Sequence, residues 1–523
     1  MDSPNSYDAI PYWGNPYRDS HPDQMATMAR LFGLKTPLVD RSRVLELGCA
    51  NGANLIPMAV AIPGATFLGI DLSKRQVEAG QQAIARLGLK NIELVHGSID
   101  TIGSDHGQFD YIICHGVYSW VPRHIQDHIL RVCNRNLAPD GVAYVSYNTH
   151  PGWFMRGMVR QMMKFHARRF SKPETQIEQA VALLDFLFKA SSNVDATYHA
   201  LLNRELAILR QCTDSYLFHE HLEENNEPLF FHEFIGRAEA EGLRYLAEPH
   251  LNEMVPVNVP PEIASVLGQV GPNIVEFEQY LDFLKNRTFR RTLLCHGERT
   301  PNREIDPERL QEFRIASILK RRGDGGDFSV AEAWDFVAGP ELAVSVAMPL
   351  HKATLTVLEQ VSPASLTCTE LAQTAQTLLE SRAGDAERPQ VNTTAIAEMV
   401  LTLYLRNLVE ISIAPVRFQT SVSEQPTASA YARLQANEGM IVTNLRHERV
   451  QLGALDHEVL RYLDGTRDRT TLETLVQDAI VNGQLTIDSK SGPLPAEERT
   501  SALAAELLRH SLNNLARQAL LLS

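Results

Sequence analysis

The first 150 residues predict a doubly wound α/β fold built on a parallel sheet. Three observations predict it: short apolar runs recur, helical stretches separate them, and glycine or an acid stands where the runs end. Val44 to Leu47 is an apolar run with one carboxylate, Glu46, as expected of a strand buried on both faces. Gly48 and Gly52 then allow a tight turn and close backbone approach to a ligand. Asn54 to Ala61 is apolar enough to start a helix. A second strand, Ala65 to Ile70, ends at Asp71, and a third, Asn91 to Val95, is followed by Ser98-Ile99-Asp100. Phe109 to Cys114 is the fourth strand and runs into His115-Gly116-Val117-Tyr118-Ser119-Trp120-Val121-Pro122. A helix over Ile125 to Leu137, a turn at Pro139-Asp140-Gly141 and a fifth strand, Val142 to Tyr147, continue the alternation.

Ligands of open α/β sheets sit outside the carboxyl ends of the strands. The first junction, residues 44–54, reads Glu-x-Gly-x-x-x-Gly rather than G-x-G-x-x-G, and no Gly-Lys-Ser/Thr follows. It therefore lacks the phosphate-cradling pattern. Asp71 at the tip of the second strand can accept hydrogen bonds from both hydroxyls of a ribose. A loop without a place for pyrophosphate beside an acid ready for ribose fits S-adenosyl-L-methionine, with S-adenosyl-L-homocysteine as product. The candidate cofactor residues are Glu46, Gly48, Cys49, Gly52, Asn54, Asp71, Leu72, Ser98, Ile99, Asp100 and His115.

At these residues the chain resembles the class I methyltransferases, whose first motif is a strand ending E/D-x-G-x-G-x-G; Ala50 stands where the middle glycine is usual. The resemblance implies a Rossmann-like core, with Ser98 to Asp100 bracketing the adenine and the loop after the fourth strand facing the methyl group. It also implies an amphipathic helix at Phe231 to Glu241, a sixth strand at Leu243 to Glu248 and a seventh at Arg291 to His296. Residues 171–228 and 250–286 are then helical insertions covering the acceptor side.

The length of 523 residues calls for two or three domains. No apolar run of 18 residues exists, and the first thirty residues lack the apolar core of a signal peptide. Six scattered cysteines without C-x-x-C argue against a zinc site or disulfide framework and fit a reducing cytoplasm. The balance of 49 basic against 63 acidic residues, net −14, makes the chain a poor polyanion binder.

Around this core the sequence is less regular. Tyr7, Tyr12, Trp13 and Tyr17 lie in a Pro-punctuated stretch, an aromatic strap or lid over residues 1–34. Ser20 with Asp23 reads as a capping-box-like helix start, with Pro22 near the first turn and Gly33 at the end. His219, His221, Glu223, His232 and Glu233 match no standard zinc spacing, so no metal is expected, and these side chains are read as caps and bridges. Beyond Asp324-Gly325-Gly326-Asp327 a weak repeat appears. Leu355 to Leu371 parallels Val459 to Leu475, and Leu405-Arg406-Asn407-Leu408-Val409 parallels Leu512-Asn513-Asn514-Leu515-Ala516. This is a winged-helix pattern in duplicate. Its third helix, Ile396 to Val409, carries only Arg406, which favours protein contact over nucleic acid.

These segments together resemble one bacterial family, class I methyltransferases with a regulatory domain and a carboxyl-terminal winged-helix domain. Its best-known members methylate lysines of outer-membrane surface proteins. The resemblance is carried by Tyr7-Asp8 to Pro11-Tyr12, Ser20 to Asp23, Gly48 to Gly52, His115 to Pro122, Asn148-Thr149-His150-Pro151-Gly152-Trp153, Tyr216 to Glu220 and Asp464-Gly465-Thr466-Arg467-Asp468-Arg469. It implies a lid over 1–34, a core over 35–170, a regulatory insertion over 171–300 and a winged-helix region over 301–523. It also implies a lysine acceptor on a protein partner and leaves room for a homodimer. Methyl transfer from a sulfonium needs alignment and a free lone pair. Tyr118, Trp120 and His115 are the candidate catalytic residues, with Tyr12, Tyr147 and Trp153 as further aromatic lining. Nucleobase amine methyltransferases carry Asn/Asp-Pro-Pro-aromatic after the fourth strand, and Cys114-His115-Gly116-Val117-Tyr118 departs from that pattern. Two alternatives stay open: a small-molecule O- or N-methyltransferase with His115 or His150 as base, and a cofactor-binding regulatory module.

Overall fold

The computed structural model describes residues 10, 14–257, 259–323, 326–328, 332–339, 342–382, 393–415, 417–485, 488–489, 492–493 and 500–522. Tyr7, Tyr12 and Trp13 of the expected strap, and Asp324 and Gly325 of the expected linker, lie outside the described residues. The chain divides into two compact units. One comprises residues 1–15, 34–55 and 64–301; the other comprises 16–33, 56–63 and 302–523. The division differs from a cut at residue 301, because two amino-terminal segments belong with the carboxyl-terminal region.

The first unit is a seven-stranded sheet: β1 (Arg43–Leu47), β2 (Thr66–Asp71), β3 (Ile92–His96), β4 (Phe109–Cys114), β5 (Leu137–Asn148), β6 (Leu243–Ala247) and β7 (Phe289–His296). Its order is β3-β2-β1-β4-β5-β7-β6, parallel from β3 to β5 and antiparallel at β7. The order reverses between β1 and β4, which places the ligand crevice of such a sheet at their carboxyl ends. Val44, Leu45, Leu47 and Ile112 are wholly buried, as a strand covered on both faces requires. The expected turn at Pro139-Asp140-Gly141 is instead inside β5. Phe109 pairs with Leu137 but Tyr111 with Val142, so the extra residues bulge from an otherwise continuous ladder.

Helix α1 (Pro22–Leu31) precedes β1, and α2 (Leu55–Ala61), most of it grouped with the second unit, joins β1 to β2. Helix α3 (Lys74–Leu87) starts at a Ser73 cap whose hydroxyl accepts from Gln76 N and ends at left-handed Gly88. Helix α4 (Arg123–Arg135) precedes β5. Between β5 and β6 stand α5 (Gly152–Ala167), α6 (Pro173–Ala190), α7 (Ala196–Leu209), a π-helical turn at Phe218–Leu222, and α8 (Phe231–Ala240); α9 (Pro261–Val270) and α10 (Ile274–Lys285) precede β7. Helices α5 to α7 bury their own cluster around Val159, Met163, Leu184 and Leu206.

In the second unit the cap of α1 is His21, not Ser20. The His21 imidazole accepts from Asp23 N, while Ser20 Oγ donates to Tyr17 O. The Asp23 carboxylate accepts instead from Ile413 N at 3.1 Å and Ala414 N at 2.8 Å. Three helices follow, α11 (Pro349–Val361), α12 (Cys368–Arg382) and α13 (Thr393–Tyr404), with a small sheet of Leu366–Thr367, Arg314–Ala316 and Glu410–Ser412. Then come α14 (Ala430–Ala436), a hairpin of Ile441–Thr443 with Arg449–Gln451, and three more helices, α15 (Ala454–Leu460), α16 (Arg469–Val481) and α17 (Ser501–Arg517). The third helix of the first set stops at Tyr404, short of the expected Val409, because the chain turns left-handed at Asn407.

Two helix ends in this unit close alike. Leu408 N donates to Leu403 O and Asn407 N to Tyr404 O; Leu520 N donates to Leu515 O and Ala519 N to Ala516 O. Asn407 and Ala519 are both left-handed, with φ of 57° and 56°. The same closure ends the helices Lys74–Leu87 and Ile274–Lys285, so it is a common helix stop and does not set the register of a repeat. Among the described residues no helix is long and apolar enough to cross a membrane.

Candidate active site

The loop after β1 curls through three left-handed residues, Gly48, Ala50 and Gly52. A Cβ on Gly48 would lie 2.3 Å from Val117 Cγ2, so glycine lets this loop touch the loop after β4. Gly48 N and Cys49 N donate to Ile70 O at the end of β2. Asp71 closes the arrangement: Oδ2 accepts from Ala50 N and Oδ1 from Ser73 N, both at 2.8 Å. Its carboxylate is thereby held at the strand tip. Leu72 beside it is 57 % exposed.

Glu46 lies beneath the loop, wholly buried. Oε1 accepts from Asn54 Nδ2 at 2.8 Å, and Oε2 has no hydrogen-bond partner among the described residues. Burial pushes its carboxyl up to about 8. Cys49 turns its thiol inward toward Gly69, so only its backbone can meet a ligand. After β3, Ser98 begins a short turn over Ile99–Thr101; Ile99 is buried and Asp100 exposed. Gly48 leaves no room for a side chain at this junction, and the buried Glu46 Oε2 beneath it lacks a partner among the described residues, features that fit a tight loop against the amino-acid end of a nucleoside ligand.

On the other side, His115 leaves β4 with Nδ1 2.8 Å from the Tyr144 hydroxyl, and Gly116 N donates to Ser146 Oγ. Ser119 Oγ accepts from Asn148 N, which ties the loop after β4 to the end of β5, and Thr149 Oγ1 donates to Leu229 O just before α8. Trp120 is half-buried, edge-on to Trp153 at 6.2 Å. Tyr118 departs from expectation. Its ring is wholly buried against Phe234 at 5.2 Å and Tyr147 at 6.3 Å, with its hydroxyl toward the Arg237 guanidinium. Phe234 and Tyr147 claim the ring, so it packs the loop from inside rather than lining an open channel. Tyr147 and Trp153 are buried as well.

The His and Glu residues of the insertion do not converge. His219 bridges Ile10 O and Glu223, His232 pairs with Gln279, and Glu233 caps α8 through Phe230 N. Among the described residues no group of three or more such side chains could hold a metal. The sequence reading missed a buried cluster behind the site. Arg290 binds Glu248, Glu278 and Asp282, and Tyr245 donates to Glu278 at 2.6 Å. The sequence reading places Arg290 just outside the seventh strand and Glu278 and Asp282 in a helical insertion, so no local signal pairs them.

Residues 44–141 match the model of a methyltransferase domain, 213–296 that of a predicted methyltransferase regulatory domain, and 424–520 that of the PKMT C-terminal winged helix domain. An uncharacterized protein of Rickettsia prowazekii is 36% identical over 502 residues, 94% of this chain and 89% of its own length. A second from that organism is 39% identical over 241 residues, 46% of this chain and 96% of its own length. The solved structure of PKMT2 from Rickettsia typhi in complex with AdoHcy is 31% identical, with a TM-score of 0.89 over 98% of this chain and 100% of that one.

Proposed function

The chain belongs to the family of S-adenosylmethionine-dependent methyltransferases that carry a regulatory domain and a PKMT winged-helix domain; on that premise we propose that it methylates lysine side chains of a protein. The observation that supports this reading most is the likeness to PKMT2, a protein-lysine methyltransferase by name, along the whole chain rather than the cofactor core alone. When bound, S-adenosyl-L-methionine supplies an electrophilic methyl group on a sulfonium. Asp71 holds the ribose hydroxyls, its orientation set by the Ala50 and Ser73 amides. Leu72, Ser98, Ile99 and Asp100 flank the adenine. Gly48, the Cys49 backbone and Gly52 admit the amino-acid end, and Glu46 with Asn54 braces the loop from below.

His115 and Trp120 flank the acceptor at the carboxyl end of β4. The Trp120 ring excludes water and favours an alkylammonium approaching its face. A free lysine holds its proton to a pKa of roughly 10.4, so the amine must lose it before attack, and the rate rises with pH. A second reading, small-molecule O-methylation, has one observation in its favour: the Tyr144 hydroxyl orients His115 as a general base is oriented. Labelled methyl transfer to a protein mixture, before and after chemical blocking of lysines, separates the two. Incorporation is expected to vanish on blocking. Incorporation that survives, or label in a small metabolite, would overturn the lysine assignment.

A further inference from the structure

Six rings stand in unbroken contact beside the loop after β5. His150 stacks on Phe154 at 3.9 Å, and both meet Phe230, at 5.1 and 5.9 Å. Phe230 in turn meets His232 at 5.7 Å and Phe283 at 6.0 Å, and Phe283 meets Tyr280 at 5.9 Å. Buried, this would be an ordinary core cluster. Instead Phe154 is 57 % exposed, Phe283 47 % and Tyr280 39 %. The rings come from the β5–α5 loop, the first turn of α5, the start of α8, and α10, so no single amphipathic helix accounts for them. Isolated exposed rings are common, whereas a contiguous exposed patch marks an interaction surface.

The surface continues toward the reacting end of the sheet. Phe289, 37 % exposed, pairs in register with Asn148, two residues before His150, and meets His115 edge-on at 6.1 Å. The Glu233 carboxylate bears on His150, while the cations of Lys285 and Arg287, on the turn between Phe283 and Phe289, are engaged by the carbonyls of Asn252, Glu253 and Val255 and by Asp282. Ring faces and a carboxylate both attract cations, and the chain as a whole has a net charge of −14.

We propose that this platform docks a basic segment of the acceptor protein, with lysine or arginine side chains that neighbour the acceptor lying on the rings while the acceptor reaches past Phe289 to His115. The proposal deepens the lysine reading and rests on it for the acceptor. The occupant follows from the platform's continuity with the methyl-transfer site and from its preference for cations.

The test titrates fluorescent poly-L-lysine with the full chain saturated with S-adenosylhomocysteine, comparing native protein with Phe154→Ala/Phe283→Ala. Neither substitution alters charge, so non-specific attraction is the same in both. Binding is expected to weaken roughly tenfold, and KM for a protein acceptor to rise with kcat little changed. Phe154→Leu/Phe283→Leu, which keeps apolar volume and removes the ring faces, is expected to lose binding similarly and serves if the alanine variant melts early. Unchanged poly-L-lysine binding overturns the platform. A native dimer that the variants dissociate would place a second copy on the rings and also overturn it. Weakened poly-L-lysine binding alongside methylation that survives lysine blocking would uphold the docking surface and sink the lysine reading.

Discussion

Glu46 and Asp71 stand at opposite ends of one loop and have opposite electrostatic fates. Asp71 accepts two backbone amides at an accessible strand tip. Asp71→Ala removes a charged acceptor for the ribose and also frees the Ala50 and Ser73 amides. A loss of roughly 1.5–3 kcal/mol in S-adenosylhomocysteine binding is expected, more than tenfold in affinity. Calorimetry showing native affinity would exclude Asp71 as the ribose acceptor. Glu46 is buried with one oxygen unpartnered, and its carboxyl is pushed up to about 8 from an ordinary 4.5. Between those values the folded ligand-free chain holds a proton that the unfolded chain has released. Stability therefore falls as pH rises across that window, by at most about 1.4 kcal/mol per pH unit from this group. Glu46→Gln mimics the neutral form, so its stability relative to the native chain is expected to grow from pH 6 to pH 9. Parallel urea-unfolding profiles for the two proteins would contradict the assignment.

At the scale of elements, the readable parts were those whose signal is local. β4 appears where its apolar run stands, and β2 ends on Asp71 as the acid at the strand tip implied. Elements shaped by distant partners were not readable. Pro139 to Gly141 looks like a turn, yet pairing on both flanks draws it into β5 as a bulge. Tyr118 looks like a channel residue until the packing of Phe234 and Tyr147 claims its ring. Ser20-His21-Pro22-Asp23 looks like a self-contained helix start, but its acid serves backbone amides some 390 residues away. There His21 faces His447 at 5.2 Å, amid Arg18, Asp23 and Arg417. Burial pulls His21 down to about 3 and His447 well below its ordinary value. The unfolded chain takes up protons near pH 6.5 that the folded pair refuses. Its contribution is intact above that pH and lost as pH falls toward 3. The urea midpoint is expected to drop between pH 7 and pH 5, and less steeply in His21→Asn, which keeps a side-chain acceptor for Asp23 N and cannot titrate. An equal drop in both would sink this account.

For the whole molecule, the carboxyl-terminal region shares its compact unit with amino-terminal segments. Its unit includes residues 16–33 and 56–63 as well as 302–523. Helix α1 contributes Met25, Met28 and Leu31, all wholly buried, and Tyr404 donates its hydroxyl to Met28 Sδ. Arg18 adds ion pairs to Glu410 and Glu448. Burial of apolar side chains of this size stabilises by about 1.5–3 kcal/mol each, a large fraction of a typical domain's stability. A fragment of residues 302–523 is therefore expected to melt early or without cooperativity. A synthetic peptide of residues 16–33 is expected to bind the folded form and raise its melting temperature in proportion to the logarithm of peptide concentration. The same peptide carrying Met28→Asp should have no such effect, because it would place a charge where the native chain buries a thioether. A fragment that melts cooperatively and ignores the native peptide would show that the winged-helix region folds without helix α1.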